Sequence, residues 1–435
     1  MRRTFAVVFG LATTTVAQPC DRFFLAPDPF ARFEIGNPEV VFDDGSGPAV
    51  YAGAYLFDGP FNQRARLVRW KGHGWEFLTS GLPDLQATGS LMVLPIDGTM
   101  RVCALVRYPS PLSLTDFVYW DGQRWSPTPA GLMTLDPVNV PICYFDDGSG
   151  PVIYGSGDGG FKKWDGSQWQ IIGLALGLNN YIMEVFDLGD GPSLYVIGMF
   201  DGIEGVPNTR GIARWDGQRW HSLGTGITGT QLTAAVFDSG QGKELWVVGG
   251  LSSAGGVPAQ VAKWNGHQWT VVPFPSNAVI TQAVEFDDGH GPALFCMGPI
   301  PSINGQPARG FIKFDGQQWH VLPGFAPPAA TARMLPFNQD PRGPSLFVYG
   351  GGSVPRGPGQ FVGCLGGRAC YADCDNTAGS HRLTANDFQC FLNRFVARLG
   401  PTLTGRDPYA DCNQDRLFNA ADFQCFLAKF VAGCP

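Results

Sequence analysis

A chain of 435 residues exceeds what one ordinary hydrophobic core covers, so a repeat architecture or a split into domains is expected. Charged residues make up only 15%, while Gly (59), Pro (35) and aromatic residues (13%) are abundant, which suits many short strands joined by tight turns. The formal charge is −7 and no Lys/Arg cluster is present to neutralise a phosphate backbone, which argues against nucleic acid as a partner.

Met1-Arg2-Arg3, the apolar run Phe5 to Leu11 and then Thr15-Val16-Ala17 follow the order of an export signal, so residues 1–17 are predicted to be cleaved before Gln18. No later stretch approaches the ~20 apolar residues of a membrane-spanning helix, so a secreted, extracellular or cell-surface protein without a transmembrane span is expected. Of eleven cysteines, seven lie between Cys364 and Cys434, which predicts a disulfide-stapled tail with Cys20 as the eighth partner. Cys103, Cys143 and Cys296 fall in apolar strands and read as buried thiols.

From residue 38 to 362 two elements recur. The first is a hexapeptide: Trp70 to Trp75, Trp120 to Trp125, Trp164 to Trp169, Trp215 to Trp220, Trp264 to Trp269 and Phe314 to Trp319. Its central Asp-Gly or Asn-Gly predicts a two-residue hairpin with positive φ at both positions. In that register Trp215 faces Gln218 and Trp220 faces Ala213, with both indoles on one face of the sheet.

The second element is FDDGSGP at Phe42 and Phe145, with variants at Phe186, Phe237, Phe286 and Phe337. Each copy ends one apolar strand and precedes another. The acids suggest calcium, but the copies lack a third spaced carboxylate, and plain turns are the expectation. With a degenerate copy near Pro95-Ile96-Asp97-Gly98, successive copies are about 41 to 53 residues apart, the spacing of four-stranded propeller blades.

With diglycines at Gly249-Gly250 and Gly350-Gly351, this order of strand, Gly-Gly, strand, Trp hairpin and strand resembles kelch or galactose-oxidase-type β-propellers. The resemblance implies an all-β propeller over residues 18–365, of seven blades or alternatively six. The strand around Val40-Val41-Phe42 is expected to close the seventh. Both kinds of turn should lie at one end of the ring and the longer connections at the other: Tyr55 to Arg64, Arg107 to Phe117, Phe200 to Gly211, Leu251 to Gln260 and Pro299 to Gly310.

After Gly366 the pattern changes. Phe388 to Ala397 matches Phe423 to Ala432 at eight of ten positions, and both carry apolar residues at i, i+3, i+4, i+7 and i+8, predicting two helices packed stripe to stripe. Before the second helix, Asp411, Asn413, Asp415, Asn419 and Asp422 occupy positions 1, 3, 5, 9 and 12 of a twelve-residue loop. Calcium wants six to eight oxygens, and an EF-hand-type loop supplies them from such positions.

The paired loop-then-helix arrangement over residues 370–434 resembles type I dockerin modules and implies a small α-helical calcium-binding domain within 366–435. Carried over, the ligands are Asp411, Asn413, Asp415, the Leu417 backbone, Asn419 and Asp422. The first copy offers Asp373, Asp375 and Asp387 but has about three extra residues in its loop. Arg416 stands where such loops carry Gly, and Ala420-Ala421 and Ala385-Asn386 stand where dockerins meet cohesins. The implied partner is therefore a cohesin-like or other surface receptor.

Function divides into two main readings, with a structural cell-envelope or matrix component held by the tail as a third that shares the fold and differs only in ligand. One is a secreted, non-catalytic propeller that binds a glycan or protein ligand and is anchored through its calcium-dependent tail. The other is a glycoside hydrolase or lyase of polysaccharide degradation delivered by that tail, which needs two facing carboxylates. Asp58, Asp116, Asp158, Asp201 and Glu204 lie in or near the long connections, but the sequence pairs none of them. No histidine grouping suggests a catalytic or copper centre, so no catalytic residue is assigned.

Overall fold

The computed structural model describes residues 22–25, 33–35, 40–57, 63–71, 75–109, 115–128, 143–148, 150–157, 159–177, 179–288, 291–322, 332–337, 345–350 and 360–363, together with residues 388, 392, 423, 424, 426 and 427. Within these, seven antiparallel sheets of four or five strands follow one another along the chain, with one two-stranded ribbon beside them.

The first blade has Phe33–Ile35 and Val40–Asp43 on its inner side, then Pro48–Phe57, Gln63–Trp70 and Trp75–Phe77. The second has Ala87–Ile96, Thr99–Arg107, Thr115–Trp120 and Trp125–Pro127, and the third Cys143–Asp146, Pro151–Gly157, Gly160–Trp164 and Trp169–Leu176. The fourth has Asn179–Asp187, Pro192–Met199, Ile212–Trp215 and Trp220–Ser222. The fifth has Ile227–Asp238, Lys243–Ala254, Ala262–Trp264 and Trp269–Val271, and the sixth Gln282–Asp287, Pro292–Met297, Phe311–Phe314 and Trp319–Val321. The seventh combines Ala332–Phe337, Ser345–Gly350 and Gln360–Gly363 with Arg22–Leu25.

Seven hydrophobic clusters join these sheets pairwise. Tyr51 shares a cluster with Trp120, Leu94 with Ile153, Phe145 with Trp215, Ile197 with Leu245, Trp246 with Phe314, and Phe295 with Leu346. The last cluster returns Phe337 and Phe347 to Val50 and Trp70 of the first blade, so the ring is closed. The chain is a β-propeller.

Closure differs from the sequence expectation. Val40–Asp43 is an inner strand of the first blade, and Arg22–Leu25 pairs with Gln360–Gly363 as the outer strand of the seventh. The seventh repeat lacks a Trp hairpin because its outer strand comes from the other end of the chain.

The hairpin register also differs. Trp215 lies directly opposite Trp220, and Ala213 opposite Ser222, so four residues rather than two make the connection. Gly217 has φ +100° whereas Asp216 is not in the left-handed region, because Asp216 Oδ1 accepts hydrogen bonds from the amides of Gln218 (2.8 Å) and Arg219 (2.9 Å). The shared face survives the change, since directly opposed residues point the same way. The six aromatic pairs have ring centroids 4.9 to 5.6 Å apart, a geometry worth about 0.5–1.5 kcal/mol each beyond area burial.

The second, fourth, fifth and sixth blades are each stapled to the one before. Nε1 of Trp125, Trp220, Trp269 and Trp319 donates to the carbonyls of Leu78, Ile172, Leu223 and Pro273, at 2.8 to 3.0 Å. In the FDDGSGP turns the first Asp caps its own loop: Asp43 Oδ1 accepts from the amides of Gly45 and Gly47, and Asp187 and Asp238 do likewise. These carboxylates thus close their own turns.

The acid that follows faces a base on the third strand: Asp44 meets Arg69, Asp147 meets Lys163 and Asp288 meets Lys313. Both turn types lie at one end, since a Cβ on Gly217 would stand 2.4 Å from the Asp147 carbonyl of the preceding blade.

Cys103, Cys143 and Cys296 are free thiols within strands, with Cys103 and Cys296 fully buried. Burial pushes the Cys103 thiol up to about 12. Cys20, residues 1–17 and the remaining cysteines lie outside the described residues. In the tail, Phe388, Leu392, Phe423, Gln424, Phe426 and Leu427 are helical. The Phe388 ring packs 6.2 Å from those of both Phe423 and Phe426, and Phe426 is fully buried, so the two matching segments meet through their apolar faces.

Candidate functional site

The innermost strands of the fourth to seventh blades wall a cavity of about 510 Å3 on the ring axis. Ile182, Glu184 and Phe186 line it from the fourth blade, Gln231 to Val236 from the fifth, Thr281 to Glu285 from the sixth, and Arg333 from the seventh.

Local irregularity aims the polar groups. The fifth blade's inner strand bulges between Thr230 and Thr233, and Gln231 there is in the left-handed region at φ +50°. A Cβ on Gly249, the first residue of the diglycine, would stand 2.4 Å from the Gln231 carbonyl. Only glycine lets the second strand approach a bulged inner strand so closely. Gln282 links two blades along the lumen: its Nε2 donates to the Met334 carbonyl (2.9 Å), and its Oε1 accepts from the Met334 amide (2.5 Å).

Glu184 reaches water in the lumen, yet the ring wall surrounds it. That confinement pushes its carboxyl up to about 7, opposed by the positive charge of Arg333. Glu285 is also held above the usual carboxylate range, mainly by desolvation, with Lys243 opposing and Asp238 reinforcing the shift. Neither glutamate makes a hydrogen bond or ion pair among the described residues.

At the end opposite the tight turns, three long connections share one device. Ile203 bridges Val206, Ala254 pairs with Val257, and Ile303 pairs with Gln306, so these segments are small hairpins rather than unrelated loops. Asp116 lies 3.5 Å from the Tyr108 hydroxyl, and exposed Asp201 lies 3.8 Å from Arg210. The structure brings no two of the loop acids named from sequence together among the described residues, and Asp58 and Asp158 lie outside them. His221 and His320 are hydrogen-bonded to Asp216 and Asp315 of their own hairpins.

The calcium ligands read from sequence, Asp373, Asp375, Asp387, Asp411, Asn413, Asp415, Leu417, Asn419 and Asp422, all lie outside the described residues. Among the described residues no three His, Cys, Asp or Glu side chains gather as a metal site, and no helix is long and apolar enough to cross a membrane.

The sequence reading missed Glu184, Glu285 and Arg333. The signal was a lone charge inside otherwise apolar runs such as Tyr181-Ile182-Met183-Glu184-Val185-Phe186.

No family model matches the chain, and no curated protein matches it. Several solved structures are similar at low identity. The extracellular domain of a hybrid two-component system from B. thetaiotaomicron is 9% identical, with TM-score 0.45 over 78% of this chain and 39% of that one. The chain thus spans well under half the length of that protein. The β-propeller domain of the Trilobed protease from Pyrococcus furiosus is 10% identical (TM-score 0.38, 75% of this chain, 98% of that one). A fungal lectin, Aleuria aurantia lectin, described as a six-bladed β-propeller with a fucose recognition mode, is 13% identical (TM-score 0.31, 67% of this chain, 95% of that one).

Proposed function

We propose that this protein is a secreted, non-catalytic propeller that binds a glycan in its axial cavity and is held to a surface receptor by a calcium-dependent, dockerin-like tail. The observation that carries the binding reading is the cavity itself. It falls within the about 300–1,000 Å3 of small-ligand pockets and mixes apolar wall (Phe186, Leu232, Val284) with hydrogen-bonding groups (Gln231, Thr233, Arg333). The kelch-like order of elements agrees with such a scaffold, although a fold does not specify a ligand.

The tail reading is supported by the 1, 3, 5, 9, 12 spacing of Asp411, Asn413, Asp415, Asn419 and Asp422, and by the packing of Phe388 on Phe423 and Phe426. The export signal at residues 1–17 and the cysteine-dense tail fit an oxidising compartment. The receptor is cohesin-like or of another surface type.

Glu184 and Glu285 lining one cavity favour a second reading, a glycoside hydrolase or lyase. Glycan-array binding by the full chain, followed by an assay for new reducing ends or unsaturated products on each bound glycan, separates the two. Binding without turnover supports the first reading. Turnover lost in Glu184→Gln supports the second, and no binding to any glycan overturns both. For the tail, calorimetry with calcium should give a binding isotherm for the full chain that Asp415→Ala abolishes. An identical isotherm in the variant overturns the ligand assignment.

A further inference from the structure

We infer that the axial cavity selects a ligand bearing a protonated primary amine on a hydroxyl-rich ring, an amino sugar, with Glu184 and Glu285 receiving the ammonium group. This rests on the glycan-binding reading above and adds the ligand's class to it.

Charge is the first argument. Two carboxylates, from the fourth and sixth blades, line the lumen against one guanidinium, Arg333, from the seventh. The nearest further charges lie at the tight-turn end. There Asp187 and Asp238 are occupied by the glycine amides of their own turns, and Lys243, opposite Asp238 in the strand register, divides its positive charge between Asp187 and Glu285. With both carboxyls ionised, the lining carries one more negative charge than Arg333 neutralises, and an entering cation draws the proton off Glu184. Confinement in the ring makes an unpaired carboxylate more costly than on an open surface, so a cation that enters gains more than it would in bulk water.

The shape of the lining selects the kind of cation. Two carboxylates fall short of the six to eight oxygens that calcium takes, whereas an ammonium group with three donors is served by two acceptors and one further polar group. Gln231, carried inward by its bulge, and Thr233 offer hydrogen bonds beside the apolar surface of Leu232 and Phe186. A sugar ring, with hydroxyls on its edge and C–H groups on its faces, uses both. The tetramethylene chain of a lysine would leave the amide and hydroxyl groups without partners.

The test is calorimetry on the full chain at about pH 7 with glucosamine, N-acetylglucosamine, glucose and lysine amide. Glucosamine is expected to bind at least about tenfold tighter than the other three, and Glu184→Gln to remove most of that preference, with Glu285→Gln as the second variant should the first not fold. Equal affinity for the three sugars overturns the amine selectivity while leaving glycan binding intact. Lysine amide binding as tightly as glucosamine overturns the sugar assignment, and no binding of any of the three sugars overturns this inference, while the glycan array decides the reading beneath it.

Discussion

Trp120 Nε1 donates to Asp44 Oδ2 at 2.8 Å, joining the hairpin of the second blade to the turn of the first across 76 residues of sequence. The same oxygen takes Arg69 at 2.7 Å, and the Asp44 side chain is almost fully buried. Burial pushes this carboxyl up, but hydrogen bonds from Ser46 and Trp120 outweigh it and hold the group below the usual carboxylate range. Asp44→Ala leaves a buried indole N–H and a guanidinium short of an acceptor. A loss of about 3 kcal/mol is expected, read as a lower denaturant midpoint. An unchanged midpoint would remove the staple from the account.

Gly217 and Gly166 occupy equivalent turn positions with nearly equal φ, +100° and +99°, but only Gly217 has a neighbour within reach: its Cβ would meet the Asp147 carbonyl at 2.4 Å, while nothing lies within 4 Å of Gly166. Substitution by Ala strains the backbone at both sites by about 1 kcal/mol. Gly217→Ala should therefore be worse than Gly166→Ala by about 1–3 kcal/mol, the overpacking term. Equal losses in parallel urea titrations would mean the two turns do not pack as described.

Asp216 titrates at about 2. Desolvation raises it, but the hydrogen bond from His221 and the turn amides of Arg219 and Gln218 bring it down. A depressed carboxylate stabilises the fold above its unfolded value, near 4, and loses that contribution as pH falls toward 2. The fifth blade's hairpin carries Asn265 at the same place, accepting from the amides of His267 (3.0 Å) and Gln268 (2.9 Å). Asp216→Asn should thus keep the turn at neutral pH and flatten the acid limb of melting temperature between about pH 4 and 2. A limb as steep as the parent's would show that the acid sensitivity lies elsewhere.

Glu184 has the opposite sign. Its pKa is raised from 4.5 to about 7, so the folded state holds the proton more tightly than the unfolded one. This contribution is fully present below the unfolded value and is lost as pH rises through about 7. Glu184→Gln should remove that decline. Arg333→Gln, which takes away the charge opposing the shift, should move the Glu184 midpoint further up in a carboxyl-detected NMR titration. A midpoint that stays put in Arg333→Gln would mean that the two groups do not share the lumen.

The same residues show where sequence reasoning reached and where it stopped. Repeated Trp hairpins and FDDGSGP turns announced a ring of similar sheets, because tight turns and alternating strands are local chemistry that each repeat spells out for itself. The apolar stripes through Phe388 and Phe423 likewise foretold helices that pack on one another. The hairpin register escaped, because Asp216 bonds two amides beyond the two-residue turn and so lengthens the loop, a choice that the Asp-Gly pair alone does not reveal.

What the tertiary structure alone decided is which distant residues share a space. Arg22–Leu25 completes the seventh blade by pairing with Gln360–Gly363, which leaves the last sheet of the ring with four strands. Glu184, Glu285 and Arg333 line one cavity because circular closure turns the inner strands of the fourth, sixth and seventh blades toward one lumen. Their positions within the repeat differ, so no periodicity marks them. Sequence fixes the turns and the faces of each strand through local hydrogen bonding and burial, and only closure of the ring converts separate strand positions into a single charged cavity.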